Sequence, residues 1–165
     1  MIPLPEGWTD FGVAAAGATA ALAGLLIVAI SVNVSEIIAS KSAVHGARAT
    51  IASLVLAIAV SLLMLPAPQT LLGLGIATIV LGLIASAIQI SAIRAQWVAG
   101  EAGLTAGPRI AILALAAGQH LPFLVGGILL LVGVDTGLWW LVAGVVMVVV
   151  ASLVDAWVLL IEVRR

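Results

Sequence analysis

Residues 11–38 read FGVAAAGATAALAGLLIVAISVNVSEII, and no charged side chain occurs between Phe11 and Ser35. About 20 apolar residues in a helix cross the hydrocarbon core of a bilayer. This stretch exceeds that length, so it reads as a membrane-spanning helix, with Thr9 or Asp10 as its N-cap. The rest of the chain has the same character. Over 165 residues the hydrophobic fraction is 64%, the charged fraction 8% and the mean hydropathy +1.37. Soluble domains carry about 25% charged residues. At this length no water-soluble core could hide so much apolar surface.

Working outward, further spans are expected at roughly 47–65, stopped by Pro66 and Pro68, then at 70–93, 109–134 and 138–163. A Gly-rich loop from Gln96 to Pro108 joins the third to the fourth, and Asp135-Thr136-Gly137 forms a tight turn before the last. The expected fold is an all-α integral membrane bundle of five transmembrane helices in one domain, 1–165. Connections this short make successive helices antiparallel. No signal peptide is expected, because Met1–Asp10 contains Glu6 and Asp10 but no Lys or Arg.

The basic residues set the orientation. Lys41 and Arg48 fall between spans one and two, Arg94 and Arg109 flank the third loop, and Arg164 and Arg165 end the sequence. In a five-span arrangement all six lie on one side, which the positive-inside rule assigns to the cytoplasm. The N-terminus is then outside and the C-terminus inside. Trp8, Trp139 and Trp140 fall at the outer interface and Trp97 at the inner one.

Polar residues within spans are costly and therefore candidate functional groups. They are Asn33 and Glu36 on the first span, Gln89 on the third, Gln119 and His120 on the fourth and Asp155 on the fifth. His120 is eleven residues above Arg109, about 16 Å and near the midplane. Asp155 is nine residues before Arg164, about 13 Å above the inner edge. Asn33 and Glu36 share a helical face, as do Ser86, Gln89 and Gln96, and Ser152, Asp155 and Glu162. If these stripes converge, Asp155, Glu36 and Asn33 line an inner-half vestibule, with Gln89 beside them and His120 above, that takes a proton or a small cation. If the acids instead pair with Arg48 or Arg94, they fasten helices, and a helix-end position for Glu36 would place it among headgroups. Gln89 also suits an ordinary interhelical hydrogen bond. In Gly118-Gln119-His120-Leu121-Pro122, Pro122 cannot donate to the Gly118 carbonyl, which kinks the helix and frees an oxygen beside an amide and an imidazole.

Gly17, Ala20 and Gly24 give the first span a small surface suited to close helix packing, at the bundle centre or in a homo-oligomer. Much chemistry is excluded. No HExxH, GxSxG or P-loop pattern occurs, and there is no cysteine. His45 and His120 fall at different depths, against bis-His haem ligation, and Asp155 is the only aspartate within a span, against a paired-aspartate protease. No cofactor and no catalysis are expected, and without a basic run no nucleic-acid partner.

Leu22–Asn33, LAGLLIVAISVN, resembles the first helix of a broad group of small polytopic bacterial membrane proteins frequent in actinobacteria. Trp157–Glu162, WVLLIE, resembles that group's last helix. The resemblance carries no function with it. It implies that Asn33 and Glu162 belong to a recurring pattern and that the membrane is a bacterial cytoplasmic membrane. Two functions fit these expectations. One is a small oligomeric channel or transporter for protons or small cations. The other is a non-catalytic subunit that binds or regulates a larger membrane complex.

Overall fold

Helix α1, Trp8–Val32, begins after Gly7, whose φ of 86° is the left-handed conformation that glycine adopts without strain. The computed structural model describes residues 3–66, 70–98 and 118–161. The other elements are α2 Val34–Ala39, α3 Lys41–Leu62, α4 Leu71–Val98, α5 Leu121–Leu131 and α6 Gly137–Ile161. Among the described residues helices and the turns joining them make up the structure, apart from one isolated antiparallel bridge between Pro3 and Thr70. Residues 99–108 of the loop expected from Gln96 to Pro108, residues 109–117 of the fourth span, and Glu162, Arg164 and Arg165 lie outside the described residues, as do the side chains of Lys41, Gln96 and Trp97.

Four helices are long and apolar enough to cross a membrane: Trp8–Val32, Ala43–Leu62, Leu71–Ala95 and Gly137–Trp157. The apolar α5 is shorter, 11 residues. Large apolar side chains point away from the protein over its whole girth, with Ile38 70% and Val132 69% exposed. Such a surface suits an integral membrane protein, for which lipid is the outer solvent.

Several boundaries differ from the sequence reading. The N-cap of α1 is Gly7 rather than Thr9 or Asp10, and α4 runs to Val98 rather than 93, so residues 96–98 are helical and not loop. Where the sequence predicts one helix over 11–38, the chain breaks at Asn33 (φ −113°, ψ 27°) and restarts as α2. Ser40 then turns the chain, its extended backbone ending α2 while its hydroxyl accepts from the Ala43 amide at 3.3 Å. Thus Ser40 N-caps α3, which starts at Lys41 rather than near 47. Pro122 lies in the first turn of α5, where a missing N–H is harmless. At the other end of α5, Gly133 (φ 79°) reverses the chain. Gly133 N donates to Leu130 O and Val134 N to Leu129 O, the pairing of a Schellman motif.

The long helices close a ring in the order α1, α3, α4, α5, α6 and back to α1, and α3 and α6 also touch each other. Small residues set the closest approaches. A Cβ added at Gly75 on α4 would lie 2.9 Å from the Gly127 carbonyl on α5, and one at Gly12 on α1 would lie 2.8 Å from the Ser61 carbonyl on α3. Phe123, fully buried, seats its ring on Gly144 of α6. Trp8 meets Trp139 edge-on at 5.4 Å. The starts of α1, α4 and α6 therefore share one end of the bundle, the Trp8 end, and Ser40 marks the opposite end.

Candidate functional site

Helix α3 supplies the site's centre. Ser53 and Thr50, three residues apart near its middle, are both buried on the same face. Their flanks on that surface are Gly46, Ala49 and Ala57, small enough to let other elements reach the hydroxyls. Ser53 Oγ lies 2.9 Å from His120 Nε2 and accepts from Gln119 Nε2 at 3.2 Å. It also donates to its own-helix Ala49 carbonyl at 3.1 Å. Thr50 Oγ1 donates to Asp155 Oδ2 on α6 at 2.6 Å and lies 3.2 Å from the Gly46 carbonyl.

Both hydroxyls thus have one proton and more than one acceptor. Ser53 donates either to Ala49 O or, in the other imidazole tautomer, to His120 Nε2. Thr50 donates to Gly46 O or to Asp155. Two ionisable side chains, one from the turn before α5 and one from α6, are therefore each bonded to a neutral hydroxyl on α3. One turn of helix separates the two hydroxyls, about 5–6 Å between Cβ atoms. His120, Gln119, Thr50 and Ser53 are buried, and Asp155 is exposed, so the site opens at its aspartate.

The residues singled out by sequence are distributed as follows. Gln119, His120 and Asp155 meet α3. Asn33 is buried at the α1–α2 break, its Nδ2 donating to Ala29 O at 3.3 Å. Glu36 is exposed on α2 and accepts from the Ser35 hydroxyl at 2.7 Å. Asn33 is thus buried at the break, whereas Glu36 is exposed on the helix that follows it. Gln89 is buried on α4, and its Oε1 has no hydrogen-bond partner among the described residues. Arg48 turns to α4 and donates to Ser91 at 3.3 Å, away from Asp155. Gly17, Ala20 and Gly24 face outward, and nothing lies within 4 Å of a Cβ built at either glycine. Contact of α1 with the bundle runs instead through Gly12, Ala15, Thr19, Leu26 and Ala29.

Sequence reasoning misses Thr50 and Ser53. The available signal is a pair of hydroxyls at i and i+3 with small residues at neighbouring turns, in a span that is otherwise apolar. It also misses the buried hydroxyls of Thr19, Ser61 and Thr78 toward the Trp8 end. Thr19 and Ser61 donate to carbonyls of their own helices, whereas Thr78 Oγ1 and, on α6, Ser152 Oγ have no partner among the described residues. No group of three or more His, Cys, Asp or Glu among the described residues could hold a metal ion. Compared with known protein families, with curated proteins and with solved structures, the chain matches none.

Proposed function

We propose that the chain is a small membrane transporter of protons or small cations, with Asp155–Thr50 and Ser53–His120 as its relay. One observation carries this reading: both ionisable groups are bonded to neutral hydroxyls one turn apart on α3. A fastener would hold Asp155 against Arg48, two residues from Thr50, and Arg48 turns instead to Ser91. A hydroxyl that can pass its proton to either of two acceptors is suited to relay. The 2.9 Å Ser53–His120 distance also fits a nucleophile and its base. Ser53, however, is 0% exposed and its oxygen is engaged by Gln119 and Ala49, so the reading excludes a hydrolase.

In this reading the chain crosses a bacterial cytoplasmic membrane five times, with α5 in the fourth crossing. The Trp8 end is outside, because Lys41, Arg48 and Arg94 belong to the opposite end. Asp155 receives the transported ion from the inner side. The buried hydroxyls of Ser61 and Thr78 continue the polar groups toward the outer face.

The test is proton flux in liposomes driven by a potassium diffusion potential. Asp155→Asn is expected to lower flux at least about tenfold. Its melting behaviour should hold, since the amide oxygen still accepts from Thr50. Wild-type flux equal to that of protein-free liposomes would sink the proposal. Unchanged flux in the variant, or loss of stability in place of flux, would turn Asp155 into a fastener.

The outward face of α1 supports self-association, and it is also the surface that favours the second reading, a subunit bound to a larger membrane complex. Since Gly24 has open space around it, Gly24→Leu is expected to leave the protomer intact while converting a homo-oligomer in mild detergent to monomer. Native mass measurement checks this, and a monomeric wild-type protein would refute self-association.

A further inference from the structure

Arg48 on α3 and Arg94 on α4 are both exposed, and neither has a carboxylate within ion-pair distance among the described residues. Arg48 has one described partner, the neutral hydroxyl of Ser91, at 3.3 Å. A guanidinium has five N–H donors, so most of its donor capacity is unspent. Ser91 and Arg94 are three residues apart on α4 and share a face. The Arg48–Ser91 bond therefore brings two positive charges to one seam between α3 and α4, around a hydroxyl that already donates to Ile88 O at 2.7 Å.

The seam continues as an apolar strip. Helices α3 and α4 pack against each other and run antiparallel, so residue numbers across the seam sum to a constant set by the 48–91 bond. Ile51 then lies opposite Ala87 and Ile88, and Val55 opposite Ile84. Ile51, Val55, Ile84 and Ala87 are all exposed, Val55 and Ile84 each by 55%. On α3, Arg48, Ile51 and Val55 share one face, and on α4 so do Ile84, Ala87, Ser91 and Arg94. The strip from position 48 to 55 is about 10 Å long, and it rises from the charged end toward the middle of the bundle. A long basic side chain at this level extends its head toward the headgroup layer while its stem lies on apolar surface.

We propose that this seam binds an anionic phospholipid, its phosphate held by Arg48 and Arg94 with Ser91 between them, and one acyl chain along the strip. The chemistry is specific in two parts. Guanidinium forks pair with phosphate oxygens through two parallel hydrogen bonds. A net negative headgroup balances two charges that have no acid partner among the described residues. A free phosphate would satisfy the first part and leave the apolar strip bare, so the amphipathic occupant is a lipid of the leaflet on the Ser40 side. The site lies outside the relay: Thr50 and Ser53 face the ring interior, whereas Arg48, Ile51 and Val55 face out.

The test is lipid retention by the full chain. The protein is reconstituted in nanodiscs of equal parts phosphatidylglycerol and phosphatidylcholine, and retained lipid is counted by native mass spectrometry. Phosphatidylglycerol is expected to be retained in preference to phosphatidylcholine. Arg48→Gln and Arg94→Gln should each reduce that preference about fivefold, and the pair about thirtyfold. Both sites are exposed, and glutamine still reaches Ser91, so unchanged helicity by circular dichroism will accompany the loss. Removing two charges elsewhere, with Arg164→Gln and Arg165→Gln, should leave the preference intact. Equal retention of the two lipids by the wild-type protein overturns the proposal. So does an undiminished preference in the Arg48/Arg94 pair, or an equal loss in the Arg164/Arg165 pair. Displacement of phosphatidylglycerol by millimolar inorganic phosphate overturns it as well, since the seam would then be a free-anion site.

Discussion

Replacing His120 by glutamine is expected to reduce proton flux about a hundredfold, within the range that a positioned proton-transfer group contributes. The substitution is nearly neutral for packing. A glutamine amide can still donate to or accept from Ser53 Oγ, which His120 Nε2 approaches at 2.9 Å. It cannot take up a proton and release it from a second nitrogen, which is what an imidazole in a relay does. Interhelical side-chain hydrogen bonds in membrane proteins average about 0.6 kcal/mol, so stability should change little even if the new bond is imperfect. Flux and melting temperature measured on the same preparation separate the two effects. A variant that conducts like the wild type would remove His120 from the relay and leave Asp155–Thr50 alone.

Phe123→Ala is expected to destabilise the protein by about 3 kcal/mol, read as a shift in unfolding by denaturing detergent. Phe123 is 0% exposed, and its ring lies against Gly144, where an added Cβ would fall 2.7–2.9 Å from ring atoms. That fit is possible because position 144 has no side chain. Removing the ring leaves a cavity between α5 and α6 that neither backbone can close. Phe-to-Ala changes in soluble cores cost about 3–5 kcal/mol. The low end applies here, because lipid is as apolar as the core and only packing is lost. A change below about 1 kcal/mol would mean that the helices collapse onto the space.

The helical, lipid-facing character of the chain is legible in runs such as 11–35, since uninterrupted apolar length has no other stable use. Gln119, His120 and Asp155 are legible for a related reason: a polar group costs free energy in hydrocarbon and stands out against Val and Leu. Their partners are not. Thr50 and Ser53 can each bond a carbonyl of their own helix, so a hydroxyl inside a span gives no sign of whether a second residue needs it. The grouping of Asn33 with Glu36 rests on helical periodicity, which holds only while the helix is continuous. The break at Asn33 ends that continuity, and Ser40 then adds a turn that no periodicity encodes. The small face of α1 is visible as a pattern, but composition cannot say which of two small surfaces a neighbour covers. The bundle takes the one through Gly12 and Ala15, leaving Gly17 and Gly24 outside.

The long chain separations across the proposed relay have a consequence for biogenesis. Thr50 meets Asp155 across 105 residues, and Ser53 meets His120 across 67. At about 5–20 residues per second, translation completes α3 some 5–20 s before Asp155 leaves the ribosome. Neutral hydroxyls are made first and the ionisable groups last. An isolated aspartate at the centre of a span raises the free energy of insertion by about 2.5–3.5 kcal/mol. Because α3 precedes it, α6 is delivered to a membrane that already holds the hydroxyl that donates to its carboxylate. The order of synthesis makes α3 an internal insertion aid for the end of the chain, and a permuted gene that placed α6 ahead of α3 would lose that assistance while keeping every residue of the folded protein.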